Sequence, residues 1–283
     1  MIIVTEKHIS SIREAIKSYS GVILERLQRS RVEKKIIEQM NQLNCQNIND
    51  YIELLENYEN NSETMDNLIS STTVNESYIF RNPKQFEYLI DSFFPEFFQK
   101  RGVTCPMRIW SAGCSRGEEA YSIAMIAKHY QKKHPDSKFT INAGDISKQN
   151  LLVAKSGVYP QNSLRGEKEN FEEKLGFTVV KSDSKDNYVI SEELKSMVDF
   201  LWLNLKDTNK LKIMRGSDII FCRNVLIYFD EQLRNQLIQT FYEFLNPGGL
   251  LFIGESECFP FPASTFIVQN NNGSYAYRKP EKN

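Results

Sequence analysis

The sequence predicts an α/β fold: a doubly wound, Rossmann-like sheet that ends in an antiparallel hairpin and carries a small inserted β-lobe, behind an all-α N-terminal domain. Three observations predict it. An apolar run rises to Trp110, breaks at Ser111-Ala112-Gly113-Cys114-Ser115-Arg116-Gly117 and re-enters as a helical pattern from Glu118, the strand, turn and helix that open such a sheet. Asp218-Ile219-Ile220-Phe221-Cys222 is a continuous apolar run followed at once by polar residues, as in a central parallel strand. Thr265–Gln269 and Tyr275–Arg278 flank Asn270-Asn271-Asn272-Gly273, a hairpin where a dinucleotide-binding fold would continue with further βα units.

Taken in order, residues 1–70 read as helices. Ile9, Ile12, Ile16 and Tyr19 share one face, and Ser20-Gly21 breaks the pattern. A second helix is expected from about residue 22 to 43, and a third, capped by Asn49 or Asp50, through Leu55. This block shows no site of its own. Arg26, Arg29, Arg31, Lys34 and Lys35 crowd the second helix with Glu33; they form either a solvated face or a docking surface for an acidic partner. Residues 71–84, rich in Ser and Thr and then aromatic, read as a linker returning across the ligand site, and Pro83 opens a helix at a position proline tolerates. Phe86, Leu89, Ile90, Phe93, Phe94, Phe97 and Phe98 are expected in the core of the domain spanning 85–283.

The strand Phe139–Asp145 ends in an acid, where such sheets commonly hold ribose hydroxyls. A short helix follows from Lys148 to Ser156, and then the βα alternation lapses over about 157–191, where two short apolar runs flank a polar turn. That is an inserted antiparallel lobe, either decoration or a binding element. The sheet resumes with Val198–Trp202 and Asp218–Cys222; a helix from Asp230 to Leu245 closes at Asn246-Pro247-Gly248-Gly249, and Leu250–Ile253 is the next strand.

Composition narrows the function. The chain has 283 residues, 41% hydrophobic and 25% charged, with a formal net charge of −1, which supports a sizeable core and argues against a general nucleic-acid binder. Its five cysteines are scattered and form no C-x-x-C pair, so reduced thiols rather than disulfides or zinc are expected. The start of the chain lacks signal-peptide character and no apolar run has membrane-span length; a cytoplasmic protein is expected. The glycines are spaced Gly113-x-x-x-Gly117, not G-x-G-x-x-G, and Glu118 and Glu119 follow directly. Two carboxylates in the first helical turn suit the helix dipole and repel a phosphate. A cationic ligand with hydroxyls fits better, and S-adenosylmethionine, with its sulfonium, ammonium and ribose diol, is such a ligand.

The motifs Ser111-Ala112-Gly113-Cys114-Ser115-Arg116-Gly117-Glu118-Glu119-Ala120-Tyr121-Ser122, Phe221-Cys222-Arg223-Asn224-Val225-Leu226-Ile227-Tyr228-Phe229-Asp230 and Pro247-Gly248-Gly249-Leu250-Leu251-Phe252-Ile253-Gly254-Glu255-Ser256-Glu257 resemble those of the chemotaxis receptor methyltransferases of the CheR type. The resemblance implies a class I methyltransferase sheet and transfer of methyl from S-adenosylmethionine, leaving S-adenosylhomocysteine, to glutamate side chains on the cytoplasmic helices of chemoreceptors. Carried over by position, it implies that Asn75, Ser77, Arg81, Gly113, Glu119, Asp145, Asn204, Leu205, Arg223 and Asn224 contact the cofactor, with Arg81 near the methionine carboxylate and Asn204-Leu205 at the adenine end. It places Tyr228 facing the transferred methyl, so Tyr228 and Arg81 are the expected catalytic pair. A receptor would dock through the helical domain, with its C-terminal tether at the inserted lobe; that lobe matches the family in position and not clearly in sequence. Ala120 stands where proline is frequent, a harmless change in a helix. No metal is expected and a monomer suffices. The rival readings are an NAD-linked oxidoreductase, which lacks its phosphate loop here, and a non-catalytic regulator binding S-adenosylmethionine or receptor.

Overall fold

A computed structural model describes residues 4–23, 29–73, 76–160, 163, 180–181, 187–257, 266–271 and 273–281. The chain opens with α1 (Glu6–Ser20), α2 (Arg29–Gln42), α3 (Ile48–Glu56) and α4 (Tyr58–Thr72). Next come α5 (Pro83–Tyr88), a π-helical turn (Leu89–Phe93) and α6 (Phe94–Arg101). The α/β series is β1 (Met107–Ala112), α7 (Glu118–Lys133), β2 (Phe139–Asp145) and α8 (Lys148–Ser156), then β3 (Val158–Pro160), β4 (Val180–Lys181) and β5 (Asn187–Val189). It continues with a one-turn helix α9 (Glu192–Lys195), β6 (Val198–Trp202), β7 (Ser217–Cys222), α10 (Glu231–Phe244), β8 (Leu245–Ile253), β9 (Ile267–Asn271) and β10 (Ser274–Arg278).

Seven strands form one sheet in the order β6-β2-β1-β7-β8-β10-β9. Strands β6, β2, β1, β7 and β8 run parallel, while β10 pairs antiparallel with β8 and β9. The predicted doubly wound sheet with a terminal hairpin is therefore present, and its strand order reverses between β1 and β7, where ligands bind in such sheets. Alternate strand residues face opposite sides. Ile109, Ile219, Phe221 and Phe252 pack with Phe86, Leu89, Phe94 and Phe98, as expected for that aromatic run. Trp110, Ile220 and Leu251 pack on the other face with Phe241 and with Ile9, Ile12, Ile36 and Leu68 of the N-terminal helices. The helical segment thus shares a core with one face of the sheet.

The inserted lobe is a three-stranded antiparallel sheet, β3-β5-β4, among the described residues. Its neck closes where expected: Gly157, in left-handed conformation, accepts the Ile190 amide at 2.8 Å.

Four boundaries differ from expectation. The second helix starts at Arg29, not near 22: Val22 instead bridges Phe229 antiparallel and the Ile23 amide donates to Tyr228 O at 2.8 Å. Gly21 (φ 77°) turns the chain out of α1 so closely against α10 that a Cβ there would lie 2.0 Å from Leu233 Cδ2. Asn47, rather than Asn49 or Asp50, caps α3, accepting both of their amides. The fourth helix runs through the Ser/Thr stretch to Thr72, because the Ser71, Thr72 and Thr73 hydroxyls donate back to Leu68 and Ile69 carbonyls and leave the ladder intact. Finally, β8 begins at Leu245 opposite Ser217, with a register shift before Leu250, where a plain turn was expected.

A buried acid joins helices to sheet. Asp66 on α4 is fully buried and accepts Tyr19 Oη at 2.7 Å and Trp202 Nε1 at 2.9 Å. Burial pushes its carboxyl up to about 6 despite those two donors. An acid raised in the fold contributes stability below its unfolded pKa and loses it as pH rises through the folded value. Asp66→Asn should therefore be more stable than wild type at about pH 7.5 and not at about pH 3.5. Urea titrations at the two pH values giving the same difference would overturn this.

Candidate active site

A cleft of about 1010 Å³, mouth included, opens over the carboxyl ends of β1, β2, β6 and β7. Of the residues predicted from the sequence, Ser77, Arg81, Gly113, Glu119, Asp145, Asn204, Leu205, Arg223, Asn224 and Tyr228 all line it; Asn75 lies outside the described residues.

The glycine turn is held by the end of β2. Gly113 takes φ 77°, and a Cβ there would meet Val225 Cγ2 at 2.5 Å, so only glycine lets this turn pass under the post-β7 turn. The Gly113 and Cys114 amides donate to Gly144 O at 2.8 and 3.0 Å, and the Ser115 amide donates to Asp145 Oδ2 at 2.8 Å. Three successive amides that would cradle a pyrophosphate are thereby engaged within the protein. Asp145 Oδ1 also accepts the Ser147 amide at 2.8 Å. Burial raises the Asp145 carboxyl, and these amides oppose the rise. The two acids after Gly117 diverge. Glu118 is buried against Arg116 at 2.9 Å, whereas Glu119 accepts Ser111 Oγ at 2.7 Å and Arg223 Nη1 at 3.2 Å at the cleft wall. Burial drives the Glu119 carboxyl up, with Arg223 opposing.

Arg223 works largely through other groups. Its Nη2 donates to Arg81 O at 2.6 Å, tying the linker to the sheet edge, and its guanidinium lies 5.9 Å from the Phe86 ring centroid. Arg81 in turn donates Nη1 to Glu76 O at 2.6 Å. Asn204 is likewise engaged: its Nδ2 donates to Tyr19 O at 2.9 Å and its Oδ1 accepts the Lys206 amide at 3.0 Å. After β7, Asn224 adopts a left-handed φ of 59°, and Leu226–Tyr228 form a short 3₁₀ turn that brings Tyr228 to the cleft.

The helical block, read as having no site of its own, contributes residues to this shared cleft. Ser20 at the end of α1 and Val22 just beyond it, and Ile69 and Ser70 in the last turn of α4 with Thr73 capping it, line the cleft. The sequence signalled only the helix break at Ser20-Gly21, which in the fold is where α1 meets the post-β7 turn. The basic face of α2 is partly neutralised: Arg29 pairs with Glu6 and Glu33, and Lys34 and Lys35 with Glu38. Arg26 and the Arg31 side chain lie outside the described residues. No described helix is long and apolar enough to cross a membrane, and no described group of residues could hold a metal ion.

The donor set suits a cationic, hydroxylated ligand: one buried and one largely buried carboxylate, Asp145 and Glu119, face the cleft, an arginine stands at its rim, and the glycine turn offers no free amide row. Residues 75–273 match the family described as CheR methyltransferase, SAM binding domain. The chain is 30% identical over 281 residues to chemotaxis protein methyltransferase 2 of Vibrio cholerae serotype O1, covering 99% of this chain and 96% of that protein. It is 34% identical over 257 residues to a chemotaxis protein methyltransferase of Borreliella burgdorferi, covering 90% and 89%. Against the chemotaxis protein methyltransferase of Escherichia coli strain K12 it is 30% identical over 265 residues, covering 94% and 89%.

Proposed function

The chain belongs to the CheR methyltransferase family and binds S-adenosylmethionine as a methyltransferase, and from that premise we propose that it esterifies glutamate side chains on the cytoplasmic helices of a chemoreceptor. The observation that carries the choice of acceptor is that both buried acids of the cleft are already engaged, Asp145 by two amides and Glu119 by Ser111 and Arg223. Both carboxylates are committed to contacts within the protein rather than to activating an acceptor. Such a site suits an acceptor that arrives as an anion, and a glutamate is ionised near neutrality. Bound S-adenosylmethionine supplies an electrophilic methyl group on a cationic sulfur. The chain's own residues have to exclude water and align the acceptor, and alignment contributes up to roughly 7–11 kcal/mol in favourable cases. In this reading Asp145 holds the ribose, Leu205 and the Asn204 backbone border the adenine, Arg81 meets the methionine carboxylate, and Ser77 contacts the ligand from the linker, as Asn75 would by its matching position. Residues 1–70 form the docking domain, 71–84 the linker and 85–283 the transferase domain, with the lobe at about 157–191 available to a receptor tether. Incubation with tritiated S-adenosylmethionine and receptor-rich membranes should give base-labile label that maps to glutamates. Label on other residues, or none, would refute the reading.

Tyr228 is the residue assigned to aim the acceptor. Its hydroxyl stabilises the ground-state anion as well, so only its share in alignment speeds the step. Tyr228→Phe should lower kcat by about 10–100-fold, or about 1.4–2.7 kcal/mol, with cofactor affinity near wild type. Full kcat on receptor would make Tyr228 a packing residue. On α2, reversing Arg29 and Lys34 to Glu should raise KM for receptor, less so at high salt, and leave cofactor affinity unmoved. Equal turnover would return that face to solvent.

A further inference from the structure

Glu257 stands out among the buried acids because it does not line the cleft itself and yet holds a residue that does, Asn224. It is fully buried, and backbone amides are its donors: Oε2 accepts Asn224 N at 2.7 Å and Gly254 N at 2.7 Å, and Oε1 accepts Ile227 N at 3.2 Å. Its own amide donates to Gly254 O at 2.9 Å, which folds the β8 exit into a tight turn beneath the β7 exit. A buried carboxylate is costly unless it is well hydrogen-bonded, so the arrangement holds these amides firmly. One side chain thus grips the post-β7 turn at both ends, at Asn224 with its left-handed φ of 59° and at Ile227, next to Tyr228. On the far side the same turn is fastened by Ile23 N donating to Tyr228 O at 2.8 Å and by the Val22–Phe229 bridge.

We propose that Glu257 is a positioning residue for methyl transfer: by clamping the amides of Asn224 and Ile227 it fixes the turn that presents Tyr228 to the cleft. The proposal rests on the role assigned to Tyr228 above. Gln is the closest replacement in shape, but its amide group turns an N–H donor toward amides that already donate, so one end of the grip is lost.

The test uses the full chain with two variants that break the clamp differently. Glu257→Gln removes the charge. Gly254→Ala keeps it but places a Cβ 2.8 Å from Glu257 Oε2 and 2.9 Å from Asn224 Nδ2, displacing the carboxylate even if the first variant folds poorly. For Glu257→Gln, kcat on receptor should fall about 100-fold, the scale of a roughly 1 Å misplacement, while affinity for S-adenosylmethionine by calorimetry weakens only several-fold. Amide exchange should accelerate over 224–228 and stay unchanged in β1 and β2. Combining Glu257→Gln with Tyr228→Phe should cost little more than the worse single variant, as expected for coupled sites. Unchanged exchange over 224–228, or unchanged kcat alongside an impaired Tyr228→Phe, would overturn the clamp. So would equal losses in kcat and cofactor affinity with exchange raised throughout, which mark a general structural role. A Tyr228→Phe enzyme with full kcat beside an impaired Glu257→Gln enzyme would instead remove the role of Tyr228 and leave the clamp acting through Asn224.

Discussion

Arg223→Met should lower folding stability by about 3–5 kcal/mol, the usual cost of removing one partner from a buried ion pair. The Arg223 and Glu119 side chains are 2% and 13% exposed and meet at 3.2 Å. Methionine fills similar volume and keeps contact with Phe86, so the loss falls on Glu119, left with Ser111 as its hydrogen-bond donor and the more distant charge of Arg81. Burial already raises the Glu119 carboxyl while Arg223 opposes it; without the arginine it rises further. A raised acid gives up stability as pH climbs through its folded pKa, so the deficit should widen with pH. Adding Glu119→Gln removes the stranded charge and should recover most of the loss in urea denaturation. If single and double variants are equally unstable, Glu119 sits protonated in the fold and the pair is not coupled.

The parallel strands were legible because burial on both faces writes continuous apolar runs such as Ile219–Cys222, and because Pro83, Gly113 and Gly117 mark local backbone requirements. Contacts set by docking leave no such mark. Nothing near Val22 announces a partner at Phe229, and nothing near Asn204 announces that its amide reaches Tyr19 O. Hydroxyls that normally favour caps and turns instead bond back along α4, which moved the linker's start. The ligand class was read from two acids after Gly117, yet only Glu119 borders the cleft, since Glu118 is drawn away by Arg116. Glu257 ends the motif Pro247–Glu257, but its work depends on amides 30 and 33 residues away, a separation no periodicity reports.

Asp145→Ala is expected to have two separable effects, where the sequence suggested one. The first is on ligand affinity: loss of charge-assisted hydrogen bonds to the ribose should weaken S-adenosylmethionine binding by about 1.5–3 kcal/mol. The second is on the fold. Asp145 accepts the Ser115 and Ser147 amides, each at 2.8 Å, and orphaning a buried donor costs about 1–3 kcal/mol. The Ser115 amide ends the glycine turn and the Ser147 amide opens onto the cap of α8, whose hydroxyl accepts Asn150 N at 3.1 Å. The variant should therefore lose stability without ligand, and its exchange should rise over the glycine turn. Asp145→Asn separates the effects, because its carbonyl oxygen still serves one of the two amides while the charge presented to the ribose is gone. It should keep more of the stability than alanine does and recover less of the affinity. Calorimetry giving wild-type affinity for both variants would remove the ribose assignment. Wild-type unfolding of Asp145→Ala would show that the glycine turn is held by Gly144 O alone.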